Sequence, residues 1–296
     1  MKKATLLLAA SMLFVVSCFV IKDSENTEYQ LVSYLDIPVD SMGNLPKNPY
    51  VIDLSHREKR LVVLGTQHSF DSLNPMYESM ERIFYNVLPD ILINEGGDLH
   101  KSYTSLGQAI TEDSDLGFDK YLADKLGIET VNGDEPQRLE FMELADAFSR
   151  EEAIMFYGTE RLLLPYVFGE YAGDLDHLYE RKFIYNLMHY DDIKLSPEEQ
   201  TFVYYQQGFE KFFGGRIDWN NFDEVRNNIN QLDFIPFGNQ HHFNTVARKS
   251  KELRDIYLLR TIEEQLKLHD TVMVVYGGWH VLAIEPSLTT IIANTH

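Results

Sequence analysis

The sequence holds one cysteine, Cys18, in 296 residues. That excludes an internal disulfide framework and any zinc or iron–sulfur centre built on several thiolates. Positive charge is also short: 26 Lys and Arg stand against 46 Asp and Glu, a formal net charge of −20. No basic stripe therefore marks a nucleic-acid or anionic-membrane surface. Beyond the N-terminus no apolar run is long enough to span a bilayer. There is no low-complexity tract and no repeat at a solenoid period. What is there, 44% hydrophobic and 12% aromatic residues, excludes a disordered acidic polymer. A globular chain of this length buries roughly three quarters of its unfolded surface, enough for one large domain or two small ones.

The lone cysteine stands where a signal would end. Lys2 and Lys3 form a positive n-region, and Leu6 to Val16 is apolar but too short to span comfortably. Val15-Val16-Ser17-Cys18 closes that run and resembles a bacterial lipobox. The resemblance implies a signal peptide over 1–17, cleavage before Cys18, and acylation of its thiol and new amino group, palmitate included. Each buried CH₂ contributes ~0.8 kcal/mol, so several chains anchor a protein without a helix. The expected location is the bacterial cell envelope, lipid-anchored to a membrane and facing outside the cytoplasm. The membrane is then the expected partner, with a small-molecule or peptide substrate and no nucleic acid. The alternative is an ordinary secretory signal with an unrelated cysteine.

Residues 18–48 are polar and turn-rich, and read as a tether with one short edge strand at Tyr29 to Asp36. Tyr50 to Leu54 and Arg60 to Leu64 then read as a β-hairpin. Asn74-Pro75 starts a helix whose buried stripe is Met76, Met80, Ile83, Phe84 and Val87. Ile91-Leu92-Ile93 is a strand, a helix follows near Asp119 to Leu126, and Ile128 to Val131 is another strand. The expected fold class is α/β (α+β): a central mixed, largely parallel sheet flanked by helices. Residues from about 137 to 240 read as a helical, Tyr- and Phe-rich insertion into a domain spanning 49–296. Its aromatics are either plain core or the wall of a substrate cleft. Leu253, Ile256, Leu259, Ile262 and Leu266 mark one face of a long helix, and Thr271 to Tyr276 a strand.

Three segments share one design: a buried strand, then glycine, with a polar residue able to bind or transfer protons. They are Gly65-Thr66-Gln67-His68, Asn94-Glu95-Gly96-Gly97 and Gly277-Gly278-Trp279-His280. In open α/β sheets ligands bind beyond the carboxyl ends of the strands, so these residues should converge on one cleft. Among 17 glycines and 10 histidines the G-x-x-H spacing alone is weak; the first and last of its four occurrences gain weight because each follows a β-run directly.

Two strand-borne G-x-x-H motifs, with a carboxylate after "PDILINE" between them, resemble the TraB/Tiki superfamily, with erythromycin-esterase-like and ChaN-like proteins as distant relatives. The likeness extends to "LGIETVNGDEP", matching at Asp134, and to "ELRDIYLLRTIEE", matching at Arg254. It covers roughly residues 50–136 and 250–286. Three positions depart from the pattern: Trp279 where a small residue is usual, Asp255 where Asn is common, and Glu135 where Arg is common.

The resemblance implies a metal-dependent hydrolase acting on a peptide or ester. His68, Glu95 and His280 would be the metal ligands, Glu95 and Arg254 catalytic residues, and Asp134 and Arg254 substrate-binding ones. Two imidazoles and a carboxylate suit Mn, Fe, Co or Zn, which would acidify a bound water. Arg254 would stabilise an oxyanion or grip a substrate carboxylate. A metal-free form would use one histidine as general base, oriented by Glu95. The alternative function is a non-catalytic, ChaN-like lipoprotein binding haem, iron or another ligand. Asp134 could instead cap a helix. His241-His242 is a poor ligand pair, because adjacent residues on a helix diverge by about 100°.

Overall fold

The protein is described by a computed structural model over residues 18–22, 28–38, 44–96, 99–190 and 192–295. The expected signal peptide, residues 1–17, lies outside these. Strands β1 (Cys18–Lys22) and β2 (Glu28–Val32) pair antiparallel in a small separate ladder. The main sheet has five strands: β3 (Tyr50–His56), β4 (Lys59–Thr66), β5 (Ile91–Asn94), β6 (Glu129–Asn132) and β7 (Thr271–Gly277). Their order is β3-β4-β7-β5-β6, with only β3 antiparallel to its neighbour. This is the mixed, largely parallel α/β sheet that the alternating strand and helix pattern called for.

Strand alternation sorts the core into two layers. Leu61, Val63, Ile91, Ile93, Val272 and Val274 face one side, against the long helix His242–Leu268 and the final helix Gly278–Asn294. Val62, Leu64, Leu92, Met273 and Val275 face the other, against helices Pro75–Val87 and Leu106–Leu126. Asn74 caps the first of these, accepting from the Met76 N–H. The expected stripe of the long helix is buried throughout, from Leu253 to Leu266.

Two stretches differ from expectation. The tether is partly built into the fold: Tyr29, Leu31, Tyr34 and Ile37 are buried, and Gln30 exchanges backbone hydrogen bonds with the Ser287 hydroxyl. Its polar residues alternate with apolar ones whose partners lie on the sheet, the two C-terminal helices and Phe237, contacts remote in sequence. The helix expected near 119–126 begins at Leu106 and kinks, with Asp113 and Ser114 outside helical geometry and Ser114 at φ 52°. The kink packs Gly117 so tightly that a Cβ there would stand 2.3 Å from the Ala109 carbonyl oxygen. Glycine is the residue that fits.

The insertion is helical and has its own apolar core, in which Phe156, Tyr157, Tyr179, Tyr205 and Phe209 are fully buried. Two of its turns, Thr159–Leu163 and Tyr179–Ile184, are π-helical. Among the described residues no helix is long and apolar enough to cross a membrane.

Candidate active site

The chain visits β4, then β5 and β6, and returns last to β7, which slots between β4 and β5. Thr66 therefore lies opposite Gly277, and Asn94 opposite Val275. The three strand–glycine segments end at one edge of the sheet, where a topological switch point opens a crevice. A cavity of 390 Å³ fills it, lined by His68, Glu95, Arg254 and His280, with Leu45 and Trp279 as apolar walls. Asp134 joins from behind through Arg254.

Glu95 sits at the centre. Its Oε1 accepts from the Arg254 guanidinium at 2.7 Å and its Oε2 from the Gly277 N–H at 2.6 Å. A Cβ at Gly277 would stand 2.8 Å from that oxygen, so glycine is what permits the approach. Arg254 is buried and doubly committed: its Nε donates to Asp134 Oδ1 at 2.5 Å. The Tyr276 hydroxyl donates to the same oxygen at 2.9 Å. Asp134 thus anchors Arg254, and the helix Gln137–Ala147 starts after Pro136 without a side-chain cap.

His68 lies in the loop after β4 with 47% of its side chain exposed. Its Nδ1 is 2.7 Å from Asp115 Oδ1, and its Nε2 is 3.7 Å from Glu95 Oε2. Asp115 is fully buried and also accepts from the hydroxyls of Thr66, at 2.5 Å, and Ser114, at 3.0 Å. The hydrogen bond to Asp115 holds the His68 pKa up to about 9, against the opposing pull of burial. Burial works to raise the Asp115 pKa, but the bond and charge of His68 outweigh it and the carboxyl titrates below its ordinary range.

His280 occupies the first turn of the final helix and is buried. Its Nδ1 is 2.6 Å from Asp255 Oδ1 and 3.0 Å from the Tyr34 hydroxyl, which donates to Asp255 Oδ2 at 2.9 Å. Burial pushes the His280 pKa well below 6.5, and the nearby positive charges of Arg254 and Lys251 push the same way. Burial also raises Asp255, opposed by the Tyr34 hydroxyl. His280 is therefore an uncharged imidazole facing a charged one across the same cavity.

The strand-end pattern groups His68, Glu95 and His280, and the family resemblance adds Asp134 and Arg254; the structure places all five at this crevice. Sequence reasoning missed the carboxylates that hold the rings. Asp255 stood out only as a departure from the family pattern; here it is the partner of His280. Its signal was its place beside the apolar stripe Leu253, Ile256 and Leu259, on a helix face with no water to solvate it. Asp115 had a fainter signal, the run Asp113-Ser114-Asp115 before Gly117 inside a helix. Tyr34 had none, since only the tertiary fold brings it to the site. His241 and His242 are elsewhere: His241 caps the long helix and stacks on Phe213, and His242 pairs with Glu152.

The donors suit a transition cation in kind. Each Nδ1 is tied to a carboxylate, as metal-ligating imidazoles usually are, which leaves Nε2 for the ligand. Their spacing does not: among the described residues no three His, Cys, Asp or Glu side chains stand close enough to hold a metal ion. No family model, curated protein or solved structure matches the chain.

Proposed function

We propose that this cavity is the hydrolytic site of an envelope-anchored enzyme of TraB/Tiki type, acting on a peptide or ester. The observation that carries the reading is the unlike pair of histidines, each oriented through Nδ1 by a buried carboxylate. Two titratable groups pushed apart by their surroundings are the usual mark of an acid–base pair. In the tautomer with its proton on Nδ1, shared with Asp255, His280 has a lone pair on Nε2 to take a proton from water. The water then attacks the substrate carbonyl. The His68 imidazolium faces the developing oxyanion and delivers its proton to the leaving group. Glu95, held by Arg254 and the Gly277 N–H, fixes the floor between the rings.

His68, Glu95 and His280 are donors of the kind a divalent transition cation takes, but they are not spaced to close around one, so the reading rests on the acid–base pair. The lipobox resemblance at Cys18 supports anchorage by acyl chains, which requires no membrane-spanning helix.

The full chain, purified in detergent, should turn over a panel of p-nitrophenyl esters and internally quenched peptides, and His68→Ala and His280→Ala should each lose that turnover. Loss of turnover on chelation, together with a transition metal present in the wild type and lost in His280→Ala, assigns the metal-dependent form. Chelator-resistant turnover assigns the acid–base form. A wild type inert on the whole panel, or turnover indifferent to both substitutions, contradicts the proposal.

A further inference from the structure

The insertion holds a second cavity, of 370 Å³, whose lining is unlike the rest of the molecule. In a chain with 46 acidic and 26 basic residues, this recess is lined by Arg161, Arg181 and Lys182 and, among the described residues, by no carboxylate. Two amides, Gln137 and Asn186, complete its polar wall, and Tyr171 supplies an aromatic one. Three cations on one lining repel one another, and the acids beside Arg161, Glu160 and Glu140, stand outside that lining.

Two of the three cations are not spent on internal ion pairs. Arg181 has no ion-pair partner among the described residues. The Lys182 ammonium lies 4.1 Å from the centre of the Tyr171 ring, a contact that orients it without neutralising it. Arg161 is the compensated one: Glu160 lies 3.5 Å from its Nε, beyond good hydrogen-bond length, and with Glu140 it stabilises the guanidinium charge. All three side chains come from the two π-helical turns, Arg161 from Thr159–Leu163 and the other pair from Tyr179–Ile184. Such turns add a residue to the helical repeat and cluster at functional sites.

We infer that this cavity is a binding site for a small polyanion, a molecule bearing phosphate or carboxylate groups, separate from the histidine cavity. Two guanidinium forks and an ammonium match such oxygens, with Gln137 and Asn186 amides as neutral donors. The site does not rest on the hydrolase reading. It is one carboxylate away from that cavity, however: Glu160 also accepts from Lys251 at 3.2 Å, and Lys251 lines the histidine cavity.

The test is calorimetric titration of the full chain with inorganic phosphate and, separately, with citrate, at low and at raised salt. Wild type is compared with Arg181→Gln/Lys182→Gln, with Arg161→Gln, and with Arg226→Gln on the exposed face of another helix. The expected result is saturable binding of at least one anion, weaker at raised salt. It should fall about tenfold or more in both cavity variants and stay unchanged in Arg226→Gln. Preference for phosphate assigns a phosphorylated ligand, and preference for citrate a polycarboxylate. Arg181 and Lys182 are exposed, so their double variant keeps its fold, which its thermal unfolding checks. No saturable binding of either anion to wild type, or equal binding by the double variant, overturns the inference.

Discussion

The two histidines reach one cavity from opposite surroundings. His68 stands on a loop, half exposed, with an ionised Asp115 beneath it, so it keeps its proton up to about 9. His280 is rooted in a helix, wholly enclosed, with Arg254 and Lys251 close enough to disfavour another positive charge. Both rings have an aspartate on Nδ1, but the one at His68 titrates below its ordinary range while burial raises the one at His280. Burial sets the difference: solvent access lets the ion pair win at His68, and its loss defeats the charged form at His280.

Removing the neutral member should break the comparison most severely. His280→Ala is expected to lower kcat by ~10²–10⁴-fold, the usual contribution of a positioned general base, in steady-state hydrolysis of whichever panel substrate is turned over. Arg254→Met strikes between the rings. It leaves Glu95 and Asp134 without their buried cation, and urea unfolding should show a loss of about 3–5 kcal/mol. If stability instead holds and only turnover falls, Arg254 acts on the substrate rather than as a strut.

Asp115→Asn sharpens the contrast by making His68 resemble a free histidine. The alkaline limb of the pH–rate profile should move from about 9 toward about 6.5, while the acid limb stays in place. The pH dependence of stability has its origin in the same pair. His68 has a raised folded-state pKa, so its contribution is full below about 6.5 and fades as pH rises through about 9. His280 has a lowered one; the unfolded chain takes its proton more readily, so stability falls as pH drops below about 6.5. Thermal unfolding across pH should therefore peak near about 6.5, and removing His68 should flatten the alkaline side and removing His280 the acid side. Tyr34→Phe is the mildest test. It deletes one hydroxyl bonded to Asp255 and His280 and should cost ~1 kcal/mol by the same denaturant assay.

The parts legible in the sequence were those governed by local periodicity. β4, β5 and β7 each carry a β-forming run with glycine at or just past its end, and a parallel sheet brings the carboxyl ends of such strands to one side. His68, Glu95 and His280 could therefore be grouped without knowing the strand order. The carboxylates behind the rings are only faintly legible, because in a chain with 46 acids a place beside an apolar stripe or a helical glycine does not by itself mark a buried Asp. Asp115 depends on a kink at Ser114, and Asp255 on a helix face closed off by the final helix and by Tyr34. The tether misled for the same reason: Tyr29 and Tyr34 look like isolated aromatics until the distant surfaces they cover are folded.

The central claim is that one cavity holds a charged and an uncharged imidazole at neutral pH. Nitrogen-15 NMR of the histidine side chains, assigned through His68→Ala and His280→Ala, measures this directly. His68 should titrate near about 9, and His280 should stay neutral well below 6.5. Two rings titrating together near 6.5 would contradict the claim.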